Sequence, residues 1–277
     1  MDNYRFDKRR HRHEYFVDGK WRSLTGCTTV LRVLNKPKLI QWAVDLALSQ
    51  IGFIKNEEWK KNGEGFIKVK VPEKEREMEA TKGLNLISTL SPRGFLELLD
   101  KIRVAHATKR NDSAKYGKKI HGEIEKIVLK AINENNGYVL ESEKHKELPV
   151  QNFIDWSLAN KARFLAAERN IYSVKLFIGG ILDILCEIDG EVWLMDIKTT
   201  DSGIYPENFA QMAGYELMLE EREPSLVIKG YIVLNLKKDG DMLEKRSVSN
   251  EENKKYFLAC LEIYRQQERI KINILVK

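Results

Sequence analysis

Cysteine is scarce in this 277-residue chain, and the three present do not cluster. Cys27, Cys186 and Cys260 share no ligand spacing, which argues against a disulfide framework and against a zinc or iron-sulfur site. No apolar run approaches the roughly 18 residues that read as a membrane span, so no membrane partner is expected. The N-terminus lacks the apolar core of a signal peptide, and Asp2, Asp7 and Glu14 among the early basic residues disfavour a mitochondrial transit peptide. The expected setting is cytoplasmic. Nor does one sign of charge dominate: 47 Lys and Arg against 41 Asp and Glu give +6, a balance that permits a nucleic-acid partner without requiring one. Neither a Ser-His-Asp elbow nor a glycine-rich nucleotide loop occurs, so a small-molecule hydrolase is not expected.

What is present concentrates between Tyr172 and Thr200. Asp189-Gly190 stands between two apolar-rich segments, the strongest short-range hairpin signal. With those two residues as the turn, Ile188 faces Glu191, and counting outward sets Asp183 opposite Asp196. Cross-strand partners share a face, and Lys198 shares it by alternation. Two carboxylates and an ammonium then emerge together beside Leu185 and Leu194. Directly opposed like charges destabilise a hairpin unless one protonates or a cation sits between them. A surface salt bridge between Asp196 and Lys198 is the plain alternative, but the flanking leucines favour a metal site. Oxygen ligands suit a hard ion, Mg²⁺ or Mn²⁺. Such an ion beside a lysine suits phosphodiester hydrolysis, with Lys198 positioning the water or offsetting charge in the transition state.

Elsewhere the pattern reads as follows. KRRHRH at 8–13 is a basic run, a solvated tail or a phosphate-contacting arm. Asp18-Gly19 marks a second hairpin, and helical spacing runs from Leu39 to Ile51. Residues 55–92 read as a lid or helical side lobe. A helix over 92–110 is expected to break and recap at Asn111-Asp112-Ser113. The next helix sets Gly117 and His121 four apart beside an apolar stripe of Ile120, Ile124, Ile127 and Val128; a lone histidine in such a place is more often a core residue than a ligand. Lys115, Lys118 and Lys119 nearby are a solvated face or a phosphate track. A further helix is expected to run to about Asn170, with Glu168 near its end, followed by the first core strand. Pro206 opens a helix that carries Gln211 and Tyr215 on one face. A buried strand (226–236), a turn at Asp239-Gly240, an edge strand and a terminal helix over about 251–268 complete the chain.

The set D-x12-D-x-K at 183, 196 and 198, G-x-x-x-H at 117 and 121 and Q-x-x-x-Y at 211 and 215 resembles the PD-(D/E)XK nuclease superfamily, in particular its RecB-like and phage-type exonucleases. The stretches Gly26 to Leu31 and Leu39 to Trp42 are similar to the entry segment of those enzymes, except that Gly26 replaces the family serine and leaves Thr28 as the hydroxyl candidate. The resemblance implies an α/β restriction-endonuclease-like core with a central mixed sheet flanked by helices, and an N-terminal mainly helical elaboration. It implies one nuclease domain over 1–277, with hairpin and elaboration over 1–110 and catalytic core over 111–277. The implied activity is a Mg²⁺- or Mn²⁺-dependent exonuclease acting on DNA ends or single strands, in phage or mobile-element recombination or repair. Its ion would be held by His121, Asp183, Asp196, the Ile197 carbonyl and Glu168. Asp183, Asp196 and Lys198 would be catalytic, and Gln211, Tyr215, Thr28, Lys115, Lys118 and Lys119 would contact DNA. A single-strand annealing or recombination partner and a homo-oligomer both fit this resemblance. A structure- or sequence-selective endonuclease, or a non-catalytic DNA-binding module, are the competing readings.

Overall fold

The computed structural model describes residues 3–34, 37–62, 65–201, 203–249 and 251–275. The chain divides into two compact units, Met1–Leu34 with Tyr116–Lys277, and Asn35–Lys115.

The chain opens with β1 (Tyr4–Asp7), β2 (Arg12–Val17) and β3 (Lys20–Ser23), an antiparallel sheet of three strands. Asp18 and Gly19 both take positive φ, as a two-residue turn of this kind requires. Part of the basic run is therefore built in: Arg12 and His13 start β2, and the rest forms the turn from β1. A two-residue strand, β4 (Thr25–Gly26), and a short helix, α1 (Cys27–Val30), follow.

The second unit holds α2 (Pro37–Ser49), the hairpin β5 (Glu57–Asn62) and β6 (Gly65–Lys70), and α3 (Glu73–Ser88). Here Gly83 of α3 lies so close to the Ile51 carbonyl that a Cβ would sit 2.0 Å from it. The next helix, α4 (Pro92–Glu134), runs without interruption through Asn111-Asp112-Ser113, contrary to the expected break. Asn, Asp and Ser favour caps only modestly, costing roughly 0.5 kcal/mol each inside a helix. With no proline or glycine there and all three exposed, the helix passes through. The boundary between the units falls within it, after Lys115.

The core unit continues with α5 (Leu148–Ala159), β7 (Arg163–Ser173), β8 (Ile178–Ile188), β9 (Glu191–Lys198), α6 (Pro206–Arg222), β10 (Ile228–Leu236), β11 (Met242–Val248) and α7 (Glu251–Leu275). The expected helix to Asn170 is thus wrong: α5 ends at Ala159, Lys161 turns at φ 47, and β7 begins. Phe164, Leu165 and Ile171 suit either state locally, and the long edge of β8 decides for strand. Six strands form one mixed sheet in the order β11-β10-β9-β8-β4, with β7 on the other edge of β8. Strand β9 runs antiparallel to β8 and parallel to β10.

The sheet is buried on both faces, which explains the near-continuous apolar run of β10. Tyr231 and Val233 join a core with Leu182, Leu194, α6 and α7. Ile232, Leu234 and Leu236 join the opposite core with Ile120, Ile124, Phe153 and Phe164 from α4, α5 and β7. The expectation of a mixed α/β architecture with helices flanking a mixed sheet is met. No helix among the described residues is long and apolar enough to cross a membrane.

Candidate metal centre

The Asp189-Gly190 turn forms with φ of 52 and 78, and its ladder pairs Ile188 with Glu191 and Leu185 with Leu194. That ladder ends at Ile184–Met195, one step short of Asp183–Asp196. Across the other edge of β8, Ala167 pairs with Ile184 and Arg169 with Leu182, which leaves Glu168 opposite Asp183. Three carboxylates, Glu168, Asp183 and Asp196, therefore occupy one row across β7, β8 and β9. Regular pairing is absent along that row. The Ile197 amide donates to Asp183 Oδ2 at 2.9 Å. Glu168 takes φ 45, a left-handed backbone that an ordinary side chain adopts only at a cost.

Helix α4 brings His121 to this row. His121 Nδ1 lies 3.7 Å from Asp183 Oδ2 and 3.9 Å from Glu168 Oε1. Ligand atoms of the three all lie within 4.8 Å of one another. Donors bound at roughly 2.0–2.1 Å on opposite sides of a hard ion are about 4 Å apart, so the spacing is of the right size. A pocket of about 10 Å³ is bordered by these residues and Ile197, space for one ion or one water.

Asp196 turns toward Lys198, whose Nζ donates to Oδ1 at 2.8 Å. Asp196 Oδ2 is buried and lies 2.6 Å from the same Nζ, so the ammonium faces both carboxylate oxygens. The centre is short of positive charge in its immediate reach. Burial first, then the charge of Asp196, push the Asp183 carboxyl up to about 7. Burial draws the Lys198 ammonium down, but Asp196 and Asp183 outweigh it and its pKa ends above the ordinary value. For His121 burial likewise lowers, while Glu168, Asp183 and Asp196 raise and prevail. Lys198 is thus held as an ammonium, and the His121 imidazole is shifted in the same direction, as a cluster with surplus negative charge requires.

The helical pair expected at 211 and 215 forms directly: Gln211 Nε2 donates to Tyr215 Oη at 2.8 Å. Tyr215 is buried against β8, where a Cβ on Gly180 would stand 2.6 Å from its ring. Burial, with the charges of Cys27, Asp183 and Asp196, raises its phenol well above the ordinary value. Thr28 is exposed on α1. Lys118 is exposed, whereas Lys119 is committed to Glu147 at 2.7 Å. Lys115 is exposed and belongs to the other unit, and for Ile197 the contact seen is through its amide rather than its carbonyl.

One participant escaped the sequence reading. Asn235 of β10 is fully buried and binds the backbone of Thr200 through both side-chain polar atoms, two residues beyond Lys198. Its signal was a single amide in the apolar run IVLNL, where a polar side chain must find partners.

No family model matches the chain, and no curated protein matches it. Among solved structures it is similar to one described as "Crystal structure of SSO0001", with 14% identity and a TM-score of 0.33, over 61% of this chain and 67% of that one. A likeness at that level says nothing further about fold or activity.

Proposed function

We propose that the protein is a metal-dependent nuclease of the PD-(D/E)XK type, with a restriction-endonuclease-like core, acting as an exonuclease on DNA ends or single strands. The observation that carries this reading is the donor set His121, Glu168 and Asp183 beside the buried Asp196–Lys198 pair.

The donor set fits a hard divalent ion, Mg²⁺ or Mn²⁺, held by His121, Glu168 and Asp183 with Asp196 adjoining. Such an ion, when bound, supplies a Lewis acid and a water of lowered pKa. The protein groups do the rest. Asp183 is aimed by the Ile197 amide, and Lys198 is aimed by Asp196. Because its pKa is raised, Lys198 stays an ammonium and acts as a hydrogen-bond donor to the water or to the phosphoryl oxygens, not as a general base. Gln211 and Tyr215 steady each other where a phosphate of the strand would pass.

The test uses end-labelled linear single-stranded DNA, linear duplex and closed circular single-stranded DNA, with Mg²⁺, Mn²⁺ or EDTA, and compares wild type with Lys198→Ala. Metal-dependent loss of the linear substrates, absent in the variant, is the expected result, and the label position gives the polarity. Cutting of the circle replaces the exonuclease with an endonuclease. Binding without any cleavage leaves only a DNA-binding module.

A further inference from the structure

Strands β7 and β8 change face together at the carboxylate row. Along β8, Ile178 and Leu182 pack in the core with α6 and α7, whereas Ile184, Cys186 and Ile188 pack in the core with α4 and α5. Along β7, Ile171 belongs to the first of these cores, while Ala167 packs against the second. Residues an even number apart on a regular strand share a face, so each strand has turned over once. The pairs Ala167–Ile184 and Arg169–Leu182 bracket the step at which both do so, and the residues standing there are Glu168 and Asp183. The left-handed backbone of Glu168 supplies the turn in β7. With Ala167 on the α4 side, regular alternation would send Glu168 toward α6. Instead Glu168 reaches His121 of α4, and Arg169, the next residue, reaches the end of α6.

Past that step, β7 is fastened to α6 through three consecutive residues. Glu223 receives the Arg169 guanidinium in a bidentate pair, Nη1 donating to Oε2 at 3.3 Å and Nη2 to Oε1. Arg222 lies over the Tyr172 ring at 4.4 Å, and Glu221 accepts from the Ser173 hydroxyl and, at 2.9 Å, from the Val174 amide. The Glu223 backbone is itself fixed, its amide donating to the Leu219 carbonyl at 2.7 Å and its carbonyl accepting from the Leu226 amide at 2.8 Å. Farther back along the same helix, the Tyr215 ring lies against Gly180 of β8. Helix α6 thus holds both strands just past the turned-over step. A half-exposed ion pair is worth little stability by itself. A bidentate arginine pair on a fixed backbone nevertheless defines a direction, and this one acts on the residue next to Glu168.

We propose that Arg169 and Glu223 are positioning residues for the metal centre: their pair holds β7 in its turned-over phase and so presents the Glu168 carboxylate to an ion shared with His121 and Asp183. The inference rests on the metal-centre part of the nuclease reading and adds to it a role for two residues outside the donor set.

The test is titration of Mn²⁺ into the DNA-free protein, with free Mn²⁺ read by electron paramagnetic resonance. Arg169→Gln and Glu223→Gln are compared with wild type, with Glu168→Gln, and with Arg163→Gln. The last breaks the Arg163–Glu187 ion pair, which joins the same two strands on the other side of the step. Matching near-ultraviolet circular dichroism establishes that the variants fold. Arg169→Gln and Glu223→Gln should each weaken Mn²⁺ binding roughly tenfold, the lower end of the loss when a group that orients a ligand is removed, while Arg163→Gln binds as wild type does. Added to Glu168→Gln, neither substitution should weaken binding further, since its effect runs through that carboxylate. Wild-type affinity in Glu223→Gln, or an equal loss with and without Glu168→Gln, overturns the inference while the metal centre stands. Wild type that binds no Mn²⁺ overturns the metal centre and this inference with it.

Discussion

Asn235 grips Thr200 by both of its backbone polar groups: its Oδ1 accepts the Thr200 N–H at 3.1 Å, and its Nδ2 donates to the Thr200 carbonyl at 3.0 Å. In the parallel ladder Asn235 lies opposite Lys198, so the grip falls just past the lysine. From the opposite side, Gly117 of α4 leaves only 3.0 Å between a hypothetical Cβ and Thr199 Oγ1. The end of β9 is thereby held between β10 and α4, and with it the directions of Ile197 and Lys198.

Replacing Asn235 with leucine keeps the volume and removes both bonds. Thr200 is exposed, so water can take the place of the lost partner and only the net worth of two hydrogen bonds is at stake, about 0.5–1.5 kcal/mol each; urea unfolding should show a loss of about 1–3 kcal/mol. Cleavage should slow through kcat with little change in KM, because the strand does not touch Asn235. Asn235→Asp, which still accepts from the amide, should fall between. A leucine variant with wild-type kcat would show that the grip serves stability alone.

The centre should bind its ion in the absence of any substrate. At about 100 times Kd, Mn²⁺ stabilises the folded state by about 2.7 kcal/mol, which for a chain of this size is a rise of roughly 5–10 °C in Tm. Asp183→Asn and Glu168→Gln should each abolish most of that rise in a thermal melt. A full rise in both variants would remove these residues from the ion's coordination.

The left-handed backbone at Glu168 makes a prediction that activity cannot confuse. Glycine tolerates φ 45 and alanine does not. Glu168→Gly should therefore be more stable than Glu168→Ala by roughly 1 kcal/mol in urea unfolding, the reverse of the usual order in a strand. Both should lose the metal-induced stabilisation.

The pH dependence of the metal-stripped protein follows from Asp183. Its carboxyl holds a proton up to about 7 in the fold, against about 3.9 in an unfolded chain. Between those values the native state binds more protons, so stability falls as pH rises: the contribution is fully present below about 4 and gone above about 7. His121, whose pKa is also raised, acts in the same direction. Chemical unfolding across that window should show the decline, and Asp183→Asn should flatten most of it. A flat profile in the unmodified protein would mean that the buried row carries no surplus negative charge.

The parts of the site legible in sequence are those that short-range geometry dictates. An Asp-Gly turn sets the register, and the structure follows it from Ile188–Glu191 to Ile184–Met195; the pair expected next, Asp183 with Asp196, lies one step beyond the end of the ladder. A helix beginning at Pro206 turns Gln211 and Tyr215 onto one side, and they bond. The apolar run of β10 announced a strand buried on both faces. Glu168 was found as a residue but misplaced as to its element, because Phe164, Leu165 and Ile171 pack equally well on a helix or a strand until β8 offers an edge.

What the chain determined by itself was therefore the arrangement of neighbours: a hairpin whose ladder runs to the step before Asp183 and Asp196, a lysine two residues on, a helix with its glutamine and tyrosine. Tertiary structure alone decided what joins them. It carried His121 from α4 and Glu168 from β7 to Asp183, clamped Thr200 with Asn235, and joined Arg169 of β7 to Glu223 at the end of α6. Backbone dihedrals and side-chain periodicity act over a few residues, whereas these contacts join segments separated by tens of residues or more. Their geometry exists only once the sheet edges and apolar faces have found their partners.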